Sequence, residues 1–133
     1  MKDIRRRAEL ARVYAKYVRL GLKDTRLDAI DAYKRMIGAS SCRGEAYSLI
    51  AMYDLIRYLS IAGKKEHLTA LFEIYSPGKE RVSLIKYSKN EVSMRVLSFA
   101  EKHHYDERTV WRMLSSVTEL YYKLRNELSQ KEN

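Results

Sequence analysis

Polar and cationic residues alternate with apolar ones at helical spacing in residues 99–114. Tyr105, Val110 and Met113 have the spacing expected of a buried seam between two helices. The residues that fall between these positions, and would face outward, are Glu107, Arg108, Thr109, Trp111 and Arg112. Guanidinium and hydroxyl groups on one helix face can hydrogen-bond phosphate oxygens and base edges. The pattern therefore indicates nucleic-acid binding rather than catalysis.

The neighbouring residues predict the turn that would position this face. A helix is predicted to end at His103, with a tight turn at His104 and Tyr105. Asp106 is a good N-cap residue and would begin a second helix. Ala100 supplies the small side chain needed where two helices cross closely. This arrangement is typical of a helix-turn-helix, which places a recognition helix in the major groove of DNA.

Three segments carry a resemblance to a known family: residues 96–100, residues 105–112 and residues 119–121. On these segments, residues 79–124 resemble the sigma-factor region-4-like helix-turn-helix of transcriptional regulators from phages and prophages of Gram-positive bacteria, of the ArpU and RinA type. Members of that family usually carry glycine at the turn, where this chain has His104. Histidine adopts a left-handed backbone less readily than glycine does.

The resemblance implies a non-enzymatic protein that binds duplex DNA at a promoter or operator, alters transcription and needs no cofactor. RNA polymerase and a second copy of the chain are the further partners it implies. The recognition helix would begin at Glu107, and the residues facing the groove would be Arg108, Thr109, Trp111, Arg112 and Ser115.

Each of these residues has an expected role. Arg112 is the first choice for a base contact, because a guanidinium can bond two acceptors on guanine at once. Arg108 and Thr109 are expected to contact phosphates near the start of the helix. Trp111 has two interpretations: it contacts a thymine methyl group, or it covers Tyr105 in the core.

The N-terminal helix is strongly basic, with seven cationic side chains against two carboxylates, a net charge of +5. One interpretation makes it a second DNA contact, in which Arg5, Arg6 and Arg7 join Lys102 in binding phosphates. The other treats these charges as the solvated face of an amphipathic helix. Salt dependence of binding would separate the two.

Helical periodicity runs from end to end and predicts an all-α fold of about six helices, with a C-terminal helix-turn-helix and a long last helix. The second helix would be capped by Asp24 and would carry Ile30 and Ile37, and Ser40 and Ser41 would cap the third. The last helix continues to about Leu128, so its far half must pack on the N-terminal helices or on a second copy.

Ser76, Pro77 and Gly78 form a candidate hinge between two regions. Residues 1–76 would be a helical region for packing, oligomerisation or partner binding, and residues 79–133 the DNA-binding region. Residues 79–87 are ambiguous between a helical turn and a short extended segment.

Composition excludes several classes of protein. The net charge of +9 suits a polyanionic partner. Cys42 is the only cysteine, which excludes an intramolecular disulfide and a thiolate-rich zinc site. No apolar run approaches the roughly 20 residues of a membrane span, and the N-terminus lacks the apolar segment of a secretory signal. A cytoplasmic location without membrane contact is therefore expected.

No set of residues has the pattern of an active site or a metal site. His103 and His104 are adjacent, so on a helix they point about 100° apart and cannot share a metal ion. An enzyme is not expected. The alternative to a DNA-binding regulator is a helical interaction or assembly protein, such as a phage packaging or adaptor component.

Overall fold

The computed structural model describes residues 2–75 and 89–131, which form six α-helices and no β-strand. The helices are α1 (Lys2–Arg19), α2 (Ala29–Gly38), α3 (Arg43–Ile61), α4 (Lys65–Tyr75), α5 (Lys89–His103) and α6 (Glu107–Lys131). The predicted all-α fold with a long last helix is confirmed. The candidate hinge at residues 76–78 and the ambiguous residues 79–87 lie outside the described residues.

The long helix α6 lies at the centre of the fold and packs most extensively along α3, with further contacts to α1, α4 and α5. Its buried stripe includes Val110, Leu114 and Tyr121, none of which is exposed to solvent. Burying a side chain the size of leucine contributes about 1.5–3 kcal/mol. The far half of α6 is therefore anchored by the N-terminal helices of the same chain.

One hydrophobic core joins all six helices. The helix α2 enters it through Ala32 and Met36, and α5 enters it through Val92 and Val96. The N-terminal helical region and the helix-turn-helix region thus share a single core.

The second helix begins later than predicted. Its N-cap is Asp28 rather than Asp24, because the Asp28 carboxylate accepts a hydrogen bond from the Asp31 N–H at 2.8 Å. The Asp24 carboxylate instead binds Arg26, and these hydrogen bonds hold its pKa below the usual range. With this start, Ile30 and Ile37 are exposed and do not face the core.

The third helix also begins later than predicted. Its N-cap is Cys42, whose side chain forms no capping hydrogen bond. The predicted caps were Ser40 and Ser41, but the Ser40 hydroxyl donates back to the carbonyl of Met36 at 2.6 Å. The Ser41 N–H donates to Glu45 Oε2 at 2.8 Å, so the carboxylate of the first turn reaches back to the residue before the cap.

Candidate nucleic-acid interface

The turn between α5 and α6 has the geometry of a Schellman motif. His104 has a φ of +60°, in the left-handed region that usually requires glycine. The Tyr105 N–H donates to the carbonyl of Ala100 at 2.9 Å, which satisfies an acceptor that the helix end leaves free. The Tyr105 ring stacks on Phe99 with 6.1 Å between centroids and supplies the apolar contact typical of the motif. The turn is thus well defined without glycine.

The second helix of the unit begins where the sequence predicted. The carbonyl of Asp106 accepts the first bond of α6, from the Val110 N–H at 3.3 Å. Val110, Met113 and Ala100 are buried and Tyr105 is half-buried, so the predicted contact between the two helices is confirmed.

The outward face of early α6 is cationic. Arg108, Arg112 and Ser115 are exposed, whereas Thr109 is half-buried at the edge of this face. Ser116 is exposed on the same side, one turn after Arg112, and was missed although helical spacing alone could have identified it. We call the exposed set Arg108, Arg112, Ser115 and Ser116 the outward face.

The two arginines of the outward face are not explained by the stability of the helix. Within the described parts of the chain, neither Arg108 nor Arg112 forms an ion pair or a side-chain hydrogen bond. Arg108 lies in the first turn, where the helix dipole disfavours a cation by about 0.3–1 kcal/mol. They are therefore available to an anionic partner.

Trp111 lies at the boundary between α6 and α1. It is half-buried, and the Arg7 guanidinium lies 4.7 Å from the centroid of its ring. Its indole N–H donates to Glu107 Oε1 at 3.4 Å. The aromatic neighbours of Tyr105 are Phe99 and His103, so Trp111 packs beneath α1 instead of stacking on the turn.

The three N-terminal arginines have different surroundings. The Arg6 guanidinium binds Glu119 at 2.5 Å and lies 4.5 Å from the centroid of the Tyr122 ring. Arg7 covers Trp111, and both arginines are half-buried. Arg5 is exposed. Two of the three expected phosphate contacts are thus engaged in holding α1 on α6.

The end of α5 is tied to α4 through Glu73. Lys102 Nζ lies 3.1 Å from one carboxylate oxygen of Glu73, and His103 Nε2 lies 2.9 Å from the other. Partial burial raises the pKa of Glu73, but the hydrogen bonds from His103 and Lys102 outweigh it and the pKa is lowered. The Lys102 side chain remains 67% exposed, so its ammonium group stays accessible to a phosphate.

The described residues contain no cluster of three or more histidine, cysteine, aspartate or glutamate side chains that could hold a metal ion. Within residues 2–75 and 89–131, no helix is long and apolar enough to cross a membrane.

Comparison with known proteins gives no relative. No protein-family model, curated protein or solved structure matches the chain. The resemblance to sigma-region-4-like regulators therefore rests on residues 96–100, 105–112 and 119–121 alone.

Proposed function

We propose that this protein binds duplex DNA in a sequence-specific manner, with the first half of α6 in the major groove, and acts as a transcriptional regulator of the phage type. The observation that supports this is the outward face of α6. Two arginines that have no partner among the described residues follow a defined helix-turn-helix turn. Helices that follow such a turn contact base edges with their N-terminal residues.

The exposed groups divide between the two kinds of DNA contact. Arg112 is assigned to a base, because its guanidinium matches the two acceptors on guanine. Arg108 and Thr109, nearer the helix start, are assigned to phosphates, as are Lys102 and Arg5. A net charge of +9 favours association with a polyanion. The proposal needs no cofactor and no catalytic group, and it places the protein in the cytoplasm with RNA polymerase and a second copy as further partners.

The test begins with selection of bound duplexes from random DNA, followed by binding assays on the selected sequence. Arg112→Ala should weaken binding about tenfold or more and relax the preference at one base pair, because a bidentate contact to guanine is lost. Lys64→Ala, which removes an exposed charge between α3 and α4, is the matched control and should bind like wild type. Equal affinity of the wild type for all duplexes would refute sequence-specific recognition.

Arg108→Ala tests the phosphate assignment. It should weaken binding to all duplexes by a similar factor and reduce the slope of log K against log salt by about 0.9, because one fewer phosphate is neutralised. A change of base preference without a change of slope would instead assign Arg108 to a base.

One observation favours the alternative of an assembly or adaptor protein. Ile30 and Ile37 lie two turns apart on α2 and are 68% and 60% exposed. Such side chains suit a contact with another protein. The size of the particle measured by sedimentation separates the two functions. A large ring that the substitution Ile30→Glu dissociates supports an assembly protein, whereas a monomer or dimer supports a regulator.

A further inference from the structure

A groove of about 550 Å³ opens between α1, α3 and the far half of α6. Arg125, which lines the groove from α6, lies about 20 Å along that helix from Arg112, at 1.5 Å per residue. The volume falls within the range of small-molecule sites. The charged side chains that line it are Arg12, Lys16, Arg19, Arg125, Glu9 and Glu45. Four cations against two carboxylates make the groove electropositive.

The cations of α1 point into this groove at regular spacing. Arg12 and Arg19 are exposed, lie seven residues apart and so share one face of the helix. Neither forms an ion pair or side-chain hydrogen bond within residues 2–75 and 89–131. Lys16 lies between them and donates to Glu45 Oε2 and to the carbonyl of Ala39, each at 3.3 Å.

The cation of α6 is held in place by α3. Arg125 Nε donates to the Ser48 hydroxyl at 2.9 Å, and that hydroxyl donates to the carbonyl of Gly44 at 3.0 Å. A Cβ atom added at Gly44 would lie 3.9 Å from Arg125 Nη2, so the end of the guanidinium lies beside the first turn of α3. The two terminal NH₂ groups form no hydrogen bond in the described part of the chain. They remain available to a ligand.

The two carboxylates of the groove are already occupied. Glu9 accepts a hydrogen bond from the Tyr122 hydroxyl. Glu45 accepts from the Ser41 N–H and from Lys16, and these bonds lower its pKa. Both carboxylates therefore have partners other than Arg12 and Arg19.

A buried phenol lies beside two of the residues that line the groove. Tyr121 is completely buried, and its hydroxyl faces Ser48 and Arg125. Burial raises the pKa of this phenol.

We propose that this groove binds a small phosphorylated ligand of about mononucleotide size, whose phosphoryl oxygens contact Arg12, Arg19 and Arg125. Planar guanidinium groups match phosphate oxygens in bidentate geometry. The groove exceeds the volume of a lone phosphate, and Val13 and Leu49 supply an apolar wall for the rest of the ligand. This site is separate from the outward face of α6.

The direct test is calorimetric titration with inorganic pyrophosphate and with adenosine monophosphate at constant ionic strength. The double variant Arg12→Ala with Arg19→Ala should weaken binding of both about tenfold or more, because two charge-assisted contacts are lost. Both side chains are exposed, so the variant should keep its far-UV circular dichroism. The matched control, Lys34→Ala with Lys64→Ala, removes two exposed charges elsewhere and should bind like wild type.

Duplex DNA also carries phosphate groups and is therefore the alternative ligand for the groove. The groove double variant should keep wild-type affinity for duplex DNA, whereas Arg112→Ala should keep wild-type affinity for pyrophosphate. The proposal would be overturned if neither pyrophosphate nor adenosine monophosphate bound at millimolar concentration. It would also be overturned if the groove variant and the lysine control variant lost affinity for these probes equally. If the groove double variant lost affinity only for duplex DNA, the proposal would be overturned as well, and the groove would be a contact for the DNA backbone. Each of these results is distinct from a failure of the helix-turn-helix to bind DNA.

Discussion

The Arg7 guanidinium lies 4.7 Å from the centroid of the Trp111 ring and joins the first turns of α1 to the beginning of α6. Trp111 is the only tryptophan of the chain, so tryptophan fluorescence reports on the surroundings of this ring. The contact also fixes one border of the outward face, because α1 covers α6 on the side of Trp111.

Arg7→Ala should shift the emission of Trp111 to longer wavelength, because water replaces the guanidinium over the ring. The free energy of unfolding should fall by about 0.5–1 kcal/mol, the usual value of a cation–π contact near the surface. Fluorescence spectra and urea titrations measure the two effects. Arg5→Ala is the control on the same helix, since Arg5 is exposed. An unchanged spectrum in Arg7→Ala would contradict the contact.

His104→Gly should stabilise the protein by about 0.5–1 kcal/mol, because the left-handed φ of +60° disfavours a residue with a Cβ atom. The larger conformational freedom of glycine in the unfolded chain offsets part of the gain. His104→Val should destabilise it, since a β-branched residue is least tolerant of this conformation. The order of stability of the three proteins follows from their urea unfolding midpoints when the slope of the transition is the same for all three. A glycine variant less stable than wild type would contradict the turn geometry.

The helix-turn-helix could be predicted because its signals are local. The N-cap residue Asp106 and the apolar residues Val110 and Met113 all lie within about two turns of the start of α6, which they specify. The start of α2 was predicted wrongly at Asp24, because Asp28 is a residue of the same type four positions later and the residue type alone does not separate the two. The structure selects Asp28 because Arg26 engages Asp24.

The surroundings of the basic residues could not be predicted, because they depend on how distant segments pack. Nothing in the sequence indicates that Arg6 meets Glu119, since the partners lie at opposite ends of the chain. The same holds for the groove, which brings Arg12 on α1 beside Arg125 on α6. Composition revealed the positive charge but not which cations lack partners.

Glu73→Gln should make the protein less sensitive to acid. The hydrogen bonds from His103 and Lys102 lower the pKa of this carboxyl in the folded state despite the opposing effect of burial. Its contribution to stability is therefore present above the unfolded pKa and lost as pH falls through the lowered folded value. Unfolding free energies measured from pH 6 down to pH 3 should fall more steeply for wild type. Equal slopes would contradict the role of Glu73 in holding α5 on α4.

Tyr17→Phe should reduce the loss of stability at alkaline pH. Burial, with smaller effects of Tyr53 and Tyr14, raises the pKa of Tyr17 to about 12. The unfolded phenol titrates near 10, so between these values the unfolded state binds fewer protons and stability falls as pH rises. The stability that depends on the neutral Tyr17 phenol is complete below about pH 10, and about 2–3 kcal/mol of it is lost by about pH 12. Urea titrations from pH 8 to 11 should show a shallower decline for Tyr17→Phe than for wild type. Tyr58→Phe, at an exposed position, should decline like wild type, and equal declines in both variants would contradict the burial of the Tyr17 hydroxyl.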